Sequence, residues 1–342
     1  MTFGCKGFPR YPTLTVKDDH EMGCENSSTI QTVKAQLLDG ARIAADIKRE
    51  VAAAVEGIIG EHEIAPCLAA VRVGDDPASA IYVRNKIQAC KEVGIRSEHH
   101  ALPATTTSVA LLDLIASLNA RGDVDGILVQ LPLPVEVDEA SIIEAVDPRK
   151  DVDGFHPINV GKLAMGQSAL VPCTPAGIIE LLDRYDVQLR GANACVVGRS
   201  QIVGRPVAQL LLQRDATVTI CHSKTRNLAS VTQQADILIV AIGRAGFVGR
   251  DHIKPGATVI DVGMNRITNE STVRALFGDE AEKRIEILKK RGYTLTGDVN
   301  PVEADEVAGR RTPVPGGVGL LTVAMLMRNT VKAWRLRRGL VS

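Results

Sequence analysis

The hydrophobic pattern in the first half of the chain alternates between two periods. In some segments apolar residues recur at helical spacing, and in others they form the short unbroken runs typical of buried strands. In chain order the pattern predicts helix 37–59, strand 67–73, helix 78–93, strand 95–102, helix 109–118 and strand 126–131. Strands that alternate with helices indicate a parallel sheet with helices packed against it.

The second half of the chain repeats this alternation. Short apolar runs cover residues 194–197, 216–221, 235–241 and 257–262, and helix-length segments separate them. This order predicts a Rossmann-like, doubly wound parallel sheet. The charged segment 266–295 is weakly patterned, and we expect it to add a surface helix.

We therefore expect an α/β protein with two α/β domains around a cleft, since 342 residues exceed the usual size of one domain. Residues 1–35 are predicted to be a flexible extension. The first domain is predicted to comprise residues 36–174 and 313–342, and the second residues 175–312. An apolar helix predicted at 318–334 is expected to pack back on the first domain.

Composition narrows the class of protein further. The chain is 45% hydrophobic and 23% charged, which is ordinary for a folded soluble protein. Forty basic residues balance forty acidic ones, so no global field favours a nucleic acid or an anionic membrane, and no apolar run reaches the roughly 20 residues that span a bilayer.

The cysteines and the N-terminal residues indicate the cellular compartment of the protein. Seven scattered cysteines form no CxxC pair, so we expect reduced thiols and no metal site. The first 35 or so residues resemble neither a signal nor a transit peptide, although Met22 is an alternative start. These features predict a cytoplasmic protein.

A glycine turn follows the strand at 194–197 and precedes a helical segment. A turn of this kind lets a pyrophosphate approach the backbone and the free amides of the helix start. The candidate residues of this turn are Gly198, Arg199, Ser200, Val203 and Gly204. Ser200 and Val203 stand where the dinucleotide fingerprint has glycines, so the turn alone is equally consistent with an ordinary tight turn.

The next strand ends at His222 and Ser223, without the carboxylate that binds the ribose hydroxyls of NAD. Cationic and hydroxyl donors favour a 2′-phosphate and therefore NADP, with a solvated turn as the alternative. Gly243 and Asp261 follow the next two strands at the same sheet edge. For Asp261 a cap or turn role is an equal alternative.

Tyr82 and Lys86 are four residues apart on a predicted helix, so their side chains share one face. Alone, such a pair is usually an exposed amphipathic pair. Gln130 places a polar side chain at the end of an apolar strand, where a buried amide needs a partner. Asp151 and Asp153 lie in a loop and are equally consistent with a turn or cap pair.

Together these motifs closely resemble the bifunctional methylenetetrahydrofolate dehydrogenase/methenyltetrahydrofolate cyclohydrolase family. The resemblance covers nearly everything from residue 37 to residue 329. It is carried by the Tyr82 to Lys86 helix, the Gln130-Leu131-Pro132-Leu133-Pro134 and Lys150-Asp151-Val152-Asp153-Gly154 segments, the turn at 197–204, and the Pro- and Gly-rich segment Thr312 to Gly319.

The resemblance implies a cytoplasmic homodimer that binds one-carbon derivatives of tetrahydrofolate in a cleft between its domains and serves one-carbon metabolism and purine biosynthesis. It implies that Tyr82 stacks on the pterin and that Asp153 forms a hydrogen bond with the pterin edge. It also implies that Lys86 is the cyclohydrolase residue and that Gln130 tunes the reactivity of this lysine. The implied substrate-binding residues are Tyr82, Ser79, Asp153, Pro315, Gly316 and Gly317. The implied NADP-binding residues are Gly198, Arg199, Ser200, Val203, Gly204, His222, Ser223 and Gly243.

The implied chemistry suits these residue types. Hydride transfer from the methylene carbon needs alignment more than a protein base. Hydrolysis of the methenyl cation needs a group such as Lys86 that accepts a proton or steers water. The chain departs from the family pattern at Leu320-Leu321, where Pro-Met is usual, and in the length of segment 266–295; it lacks the synthetase domain of trifunctional relatives.

Three alternatives compete with this interpretation. A short-chain dehydrogenase also uses a Tyr and a Lys at this spacing, but there the glycine turn comes first, whereas Gly198 lies far after Lys86. A silent nucleotide-binding module has no need of Tyr82, Lys86, Gln130 and Asp153 together. A monofunctional dehydrogenase is disfavoured because Lys86 is present.

Overall fold

The computed structural model describes residues 34–340, so the predicted extension up to residue 33 lies outside the described residues. Ala35, at the end of that predicted extension, is buried, and its amide donates to the Asp305 carbonyl at 3.1 Å. In chain order the elements are β1 (Gln36–Leu37), α1 (Gly40–His62), β2 (Cys67–Val73), α2 (Pro77–Glu92), β3 (Arg96–Leu102), α3 (Ser108–Ala120), β4 (Gly126–Val129), α4 (Glu139–Ala145), α5 (Pro157–Ala164), α6 (Cys173–Arg184), β5 (Asn193–Val197), α7 (Gly204–Gln213), β6 (Thr217–Cys221), α8 (Leu228–Thr232), β7 (Ile237–Val240), β8 (Thr258–Asp261), β9 (Asn265–Ile267), α9 (Glu270–Phe277), α10 (Ala281–Arg291), β10 (Thr294–Thr296), α11 (Pro301–Val307), β11 (Arg310–Arg311) and α12 (Val318–Arg337), with short 3-10 turns at Arg250–His252 and Gly278–Glu280.

The first sheet has three parallel strands in the order β3-β2-β4. Its central strand, β2, is apolar at nearly every position because helices cover both faces. Leu68 and Ala70 pack on the side of α1 and α12, whereas Cys67, Ala69 and Val71 pack on the side of α3. This sheet carries α2 at the carboxyl end of β2, and α2 presents the candidate Tyr and Lys.

The second sheet has six strands in the order β1-β11-β8-β7-β5-β6, and every neighbouring pair is parallel. The predicted doubly wound parallel sheet is therefore confirmed. After β5 the chain forms β6 on one side and then returns to form β7 on the other. The carboxyl ends of β5 and β7 thus define a switch point, which is where ligands of open α/β sheets bind.

Helix α12 packs against α1, α6 and α2, which confirms the prediction that the last helix returns to the first domain. Its core side is apolar, with Trp334 almost completely buried. At its end, Arg337 and Arg338 form ion pairs with the buried carboxylate of Asp125, at 2.6 and 2.8 Å. Because Asp125 precedes β4, the helix is tied directly to the first sheet.

Segment 266–295 differs from its prediction. Instead of one surface helix it contains α9 and α10 and the antiparallel pair β9–β10. Gly278, with a φ of 48°, separates the two helices. The segment has a small core of its own, formed by Ile267, Val273, Leu276, Phe277, Ala281, Ile285 and Leu288. The few apolar residues among many charges conceal this core in the sequence.

The first helix begins three residues later than predicted, because Gln36–Leu37 is a strand and Asp39 caps the helix. The Asp39 side chain accepts a hydrogen bond from the Arg42 amide at 3.0 Å, a common way to satisfy a helix start. Within residues 34–340, no helix is long and apolar enough to cross a membrane.

Candidate active site

Helix α2 positions Tyr82 and Lys86 one turn apart. Its start is fixed by Asp76, which accepts from the amide of the buried Ser79 at 2.7 Å. Tyr82 is 45% exposed, and its hydroxyl donates to Met264 Sδ at 3.3 Å, which joins α2 to the segment after β8. Lys86 instead donates from Nζ to Gln130 Oε1 at 3.1 Å.

Gln130 is held in one orientation by its surroundings. Its backbone amide donates to the Val71 carbonyl at 2.8 Å, which extends the pairing of β4 with β2 by one residue. Its side-chain NH₂ donates to the Leu131 carbonyl at 2.6 Å, so the amide oxygen faces Lys86. The amide therefore binds the ammonium without adding a charge, and the expected contact of Lys86 with Gln130 is present.

The loop between α4 and α5 carries two carboxylates with different roles. Asp151 is buried and accepts from the amides of Gly154 and His156, at 3.1 and 2.8 Å, and from Asn159 Nδ2 at 2.9 Å. It therefore fixes the loop, as one of the alternatives for this pair proposed. Asp153 is only partly buried and lies near Lys86.

Burial raises the pKa of Asp153 to about 6, although the charge of Lys86 opposes the shift. The carboxyl is thus poised between its two protonation states near neutral pH, which is common for groups in functional sites. Lys150 has a structural role by contrast. Its ammonium is buried and donates to the carbonyls of Leu118, Asn119 and Arg121 at the end of α3, and burial lowers its pKa to about 8.

Asn329 braces the same loop from α12 and was not anticipated. Its buried Nδ2 donates to the Val152 carbonyl at 2.8 Å and to the Val171 carbonyl at 2.9 Å. The only sequence signal for this role is an amide at a position of the helix whose buried neighbours are mostly apolar. The residue next to Asp153 is thereby fixed to the last helix.

A cleft of about 1240 Å³ opens beside Tyr82. Its walls come from α1, α2, the segment after β8, the end of segment 266–295 and the loop before α12. Tyr82, Pro315, Gly316 and Gly317 line it, whereas Lys86, Gln130 and Asp153 are not part of its lining. Tyr82 therefore borders both the cleft and the polar group around Lys86.

Close backbone contacts shape the loop before α12. The Gly316 carbonyl accepts from the Ala41 amide at 3.0 Å, and Gly316 has a φ of 108°. A Cβ on Gly40 would lie 2.1 Å from the Gly317 carbonyl oxygen, so α1 and this loop can touch only through glycine. Of the unusual pair after Gly319, Leu320 lines the cleft and Leu321 is buried in the core.

The turn after β5 has the backbone of a phosphate site. Gly198 has a φ of 127°, and a Cβ there would lie 2.2 Å from the Ala241 carbonyl oxygen. A Cβ on Gly204, the first residue of α7, would lie 2.2 Å from the Gly198 carbonyl oxygen. Both positions therefore require glycine, which leaves the backbone uncovered at the switch point.

The hydroxyl of Ser200 closes the start of α7. Its Oγ accepts from the amides of Val203 and Gly204, at 3.2 and 3.3 Å, so it binds the N-cap residue Val203 and the first residue of the helix. Arg199 and Ser200 are exposed at this turn. The two departures from the glycine fingerprint thus belong to a turn that serine stabilises locally.

The turn after β6 presents His222 and Ser223. The His222 amide donates to Thr225 Oγ1 at 2.9 Å, and its ring Nδ1 accepts from the Lys224 amide at 3.1 Å. The neutral ring therefore carries its proton on Nε2, which is directed away from these bonds. No carboxylate follows β6 within this turn.

Two buried carboxylates fix the strand ends beside this turn. Asp298, which sequence reasoning missed, accepts from the amides of Ile242, Gly243 and Arg244 at 2.7 to 2.9 Å. Asp261 accepts from the amides of Gly263, Asp298 and Val299, each at 2.9 Å, which favours the turn role that was one alternative for it. Burial raises the pKa of Asp261 to about 7.

The candidate residues thus form three groups. Lys86, Gln130 and Asp153 lie together, Tyr82 shares the cleft with residues 315–317, and the glycine-turn residues gather at the carboxyl edge of the second sheet. In the part of the chain that the structure describes, no three His, Cys, Asp or Glu side chains are grouped so that they could hold a metal ion.

Comparison with known proteins identifies one family. Residues 38–153 match the family described as Tetrahydrofolate dehydrogenase/cyclohydrolase, catalytic domain, and residues 172–338 match its NAD(P)-binding domain. The chain is 57% identical over 305 residues to the bifunctional protein FolD of Koribacter versatilis. The aligned region covers 89% of this chain and 98% of that protein.

Solved structures agree with the sequence matches. The bifunctional FolD methylenetetrahydrofolate dehydrogenase/cyclohydrolase from Campylobacter jejuni is 42% identical, with a TM-score of 0.80 over 89% of this chain and 99% of that one. The FolD enzyme of Trypanosoma brucei, solved with NADP cofactor and an inhibitor, is 35% identical, with a TM-score of 0.80 over 90% of this chain and 99% of that one.

Proposed function

Since the chain belongs to the tetrahydrofolate dehydrogenase/cyclohydrolase family, we propose that it oxidises 5,10-methylenetetrahydrofolate with NADP and hydrolyses the methenyl product to 10-formyltetrahydrofolate. The observation that carries this proposal is the Lys86–Gln130 hydrogen bond of 3.1 Å, beside Asp153 and one helical turn from Tyr82. These groups suit both a folate ring and the hydrolytic step.

NADP fits the turn after β5. Gly198 and Gly204 leave the backbone open to a pyrophosphate at the start of α7, where helix amides favour negative charge. Arg199, Ser200, His222 and Ser223 supply cationic and hydroxyl donors for the 2′-phosphate, and Gly243 extends the site along the sheet edge. When bound, NADP supplies the hydride acceptor of the oxidation.

In the first reaction the protein aligns the folate. Tyr82 offers a half-exposed ring for stacking, and Asp153 offers a carboxylate to the N–H groups of the pterin edge. Ser79 lies one turn earlier on the same helix as Tyr82, and Pro315, Gly316 and Gly317 form the facing wall of the cleft. Alignment is the main requirement because the adjacent nitrogens stabilise the cation that hydride loss creates.

In the second reaction water adds to the methenyl carbon and loses a proton. The hydroxyl proton of the adduct then passes to the leaving nitrogen as the carbon–nitrogen bond breaks, which leaves the formyl group. In its neutral form Lys86 accepts the proton that the water loses; as an ammonium it steers the water and the adduct through hydrogen bonds. Gln130 holds the ammonium end in place through its oriented amide, so the lysine points at a fixed position. No other lysine of α2 has such a partner in the described structure: Lys91 is exposed.

The remaining features of this proposal concern organisation. Residues 36–174 with 313–342 form the folate-binding domain, and residues 175–312 form the NADP-binding domain. Strands β2 to β4 fall in the first part and strands β5 to β8 and β11 in the second, which supports this division, whereas β1 joins the six-stranded sheet by pairing with β11. The protein acts in the cytoplasm as a homodimer and supplies one-carbon units for purine biosynthesis. Light scattering of the purified chain tests the dimer, which requires twice the 36.5 kDa of one chain.

The test of the activity follows absorbance with methylenetetrahydrofolate, comparing NADP with NAD, for the wild type and Lys86→Met. We expect oxidation with NADP in both proteins and accumulation of the methenyl compound only in the variant. Hydrolysis of added methenyl compound is measured separately and corrected for the rate without enzyme. Lys91→Met, an exposed lysine on the same helix, is the matched control and keeps both activities.

Two results would contradict the proposal in different ways. If Lys86→Met hydrolyses the methenyl compound as fast as the wild type, this lysine has no role in the cyclohydrolase step. No oxidation by the wild type with either cofactor would leave a silent nucleotide-binding module as the better description.

A further inference from the structure

A single buried carboxylate joins the turn after β7 to the segment after β8. Asp298 is completely buried, and its Oδ2 accepts from the amides of Ile242 and Gly243 at 2.7 and 2.9 Å. Its Oδ1 accepts from the Arg244 amide at 2.7 Å and from Asn265 Nδ2 at 2.9 Å. The backbone of the turn after β7 and the side chain of Asn265 therefore share one acceptor group.

These two segments face different ligands in the proposed reaction. The turn after β7 contains Gly243, which belongs to the proposed NADP site at the carboxyl edge of the second sheet. The segment after β8 carries Met264, which lines the cleft and accepts the hydrogen bond of the Tyr82 hydroxyl at 3.3 Å. Because Asn265 directly follows Met264, Asp298 connects the cofactor side of the site with the residue that contacts the proposed stacking ring.

The surroundings of Asp298 hold both segments against it. Among residues 34–340, no Lys, Arg or His side chain forms an ion pair with this carboxylate, and three backbone amides and one side-chain amide are its donors. A buried carboxylate without a cation depends on such hydrogen bonds, because they replace the water that it has lost. A Cβ on Gly263 would lie 2.4 Å from Asp298 Cγ, so the segment after β8 also packs directly on the carboxylate.

We propose that Asp298 and Asn265 are positioning residues for hydride transfer, which align the nicotinamide with the methylene carbon through the two segments that they join. This inference rests on the proposed function. Hydride transfer depends on such alignment, because misplacement of reacting atoms by about 1 Å can cost about a hundredfold in rate. The hydrolytic step does not use the nicotinamide, and its proposed residues Lys86 and Gln130 lie on α2 and directly after β4.

The two proposed activities separate a positioning role from a structural role. A variant that only unfolds more easily loses oxidation and hydrolysis together, since both reactions need the folded chain. A variant that displaces the turn after β7 relative to the segment after β8 slows the oxidation alone. The ratio of the two rates in one preparation is therefore the quantity to measure.

The test uses Asn265→Ala in the full chain, which removes one donor from Asp298 at a half-buried position. Stopped-flow absorbance gives the single-turnover rate of NADPH formation at saturating NADP and methylenetetrahydrofolate. The hydrolysis rate is measured at saturating methenyl compound. We expect the oxidation rate to fall about tenfold and the hydrolysis rate to stay within about twofold of the wild type, because only the oxidation depends on the alignment of the nicotinamide.

Asn300→Ala is the matched control. Asn300 is a buried amide two residues from Asp298, but its side chain caps α11, where it accepts from the amides of Val302 and Glu303. We expect this variant to lower the melting temperature without changing the ratio of oxidation to hydrolysis. A lower ratio in Asn265→Ala but not in Asn300→Ala supports the proposal. An unchanged ratio in Asn265→Ala, or an equal change in Asn300→Ala, overturns it.

Asp298→Asn tests the carboxylate itself. The asparagine NH₂ cannot accept the hydrogen bonds that one carboxylate oxygen accepts, so we expect a larger fall in the oxidation rate, with hydrolysis again within about twofold of the wild type. An equal fall of both rates gives Asp298 a structural role and overturns its part of the proposal. If this variant does not fold, Asn265→Ala and its control decide the question.

Failure of the proposed function gives a different result. If the wild type does not oxidise methylenetetrahydrofolate, the enzymatic proposal fails, and hydrogen exchange at the amides of residues 242–244 tests the link between the two segments. Faster exchange of these amides in Asn265→Ala, with wild-type exchange in Asn300→Ala, supports the link. Unchanged exchange in Asn265→Ala overturns it.

Discussion

The substitution Asn329→Leu tests whether the last helix holds the loop that carries Asp153. Asn329 is 5% exposed, and its NH₂ donates to two carbonyls, at Val152 and Val171. Leucine has a similar shape but no donor. Both carbonyls therefore lose this partner in the interior, and Val152 keeps only the weak thiol donor of Cys173 at 3.4 Å.

The size of the effect follows from these contacts. A buried carbonyl left without its donor costs about 1–3 kcal/mol, and the two together cost about 4 kcal/mol. Burial of the leucine side chain recovers about 1 kcal/mol. The net loss is about 3 kcal/mol, and at about 2 °C for each kcal/mol the melting temperature of a chain this large falls by about 6 °C.

Calorimetry and steady-state kinetics on the same preparation measure this prediction. We expect the KM for methylenetetrahydrofolate to rise by about tenfold as well, because a displaced loop misplaces Asp153. Thr330→Val is the control: Thr330 is completely buried on the same helix, but its hydroxyl donates only to Leu326 within that helix, at 2.9 Å. The reasoning is refuted if Asn329→Leu destabilises the protein no more than Thr330→Val, or if it leaves KM unchanged.

Two further predictions concern the turn after β5 and the loop carboxylate. Gly198→Ala should weaken NADPH binding at least tenfold in a fluorescence titration, because its Cβ would lie 2.2 Å from the Ala241 carbonyl oxygen, whereas Gly191→Ala, also at positive φ but with open space, should leave binding intact. The KM for methylenetetrahydrofolate should rise as pH falls through about 6, where Asp153 gains its proton, and Asp153→Asn should abolish this rise. Because folding raises the pKa of Asp153 from 3.8 to about 6, its contribution to the stability of the ligand-free protein is full below pH 3.8 and is lost as pH rises through about 6. Thermal unfolding between pH 4 and 7 checks this, and an unchanged pH dependence in Asp153→Asn would count against it.

Periodicity predicted the strands better than the helix starts. The run at 67–73 is a strand over the same residues because both of its faces are buried, so its hydrophobicity is continuous. The start of α1 was misplaced because β1 has only two residues, too few for a pattern. Too little secondary structure was predicted for segment 266–295 because its small core contains few apolar side chains among many charges.

Site residues were predictable from the sequence where they follow the carboxyl ends of neighbouring parallel strands. Gln130 directly follows β4, which pairs with β2, and α2 follows β2, so Gln130 and Lys86 converge at one sheet edge. Asp298 and Asn329 could not be found in this way. Each acts by a hydrogen bond to the backbone of a distant segment, and no local spacing encodes such a contact.

The position of α12 has a consequence for synthesis of the protein. This helix covers Leu68 and Ala70 on one face of the first sheet. The ribosome nevertheless makes it only after every strand of both sheets. During translation the part of that face that α1 leaves uncovered stays exposed to water while the Rossmann-like unit emerges and begins to fold. A nascent chain halted before α12 would therefore present a sticky apolar surface, of the kind that chaperones recognise and that drives aggregation.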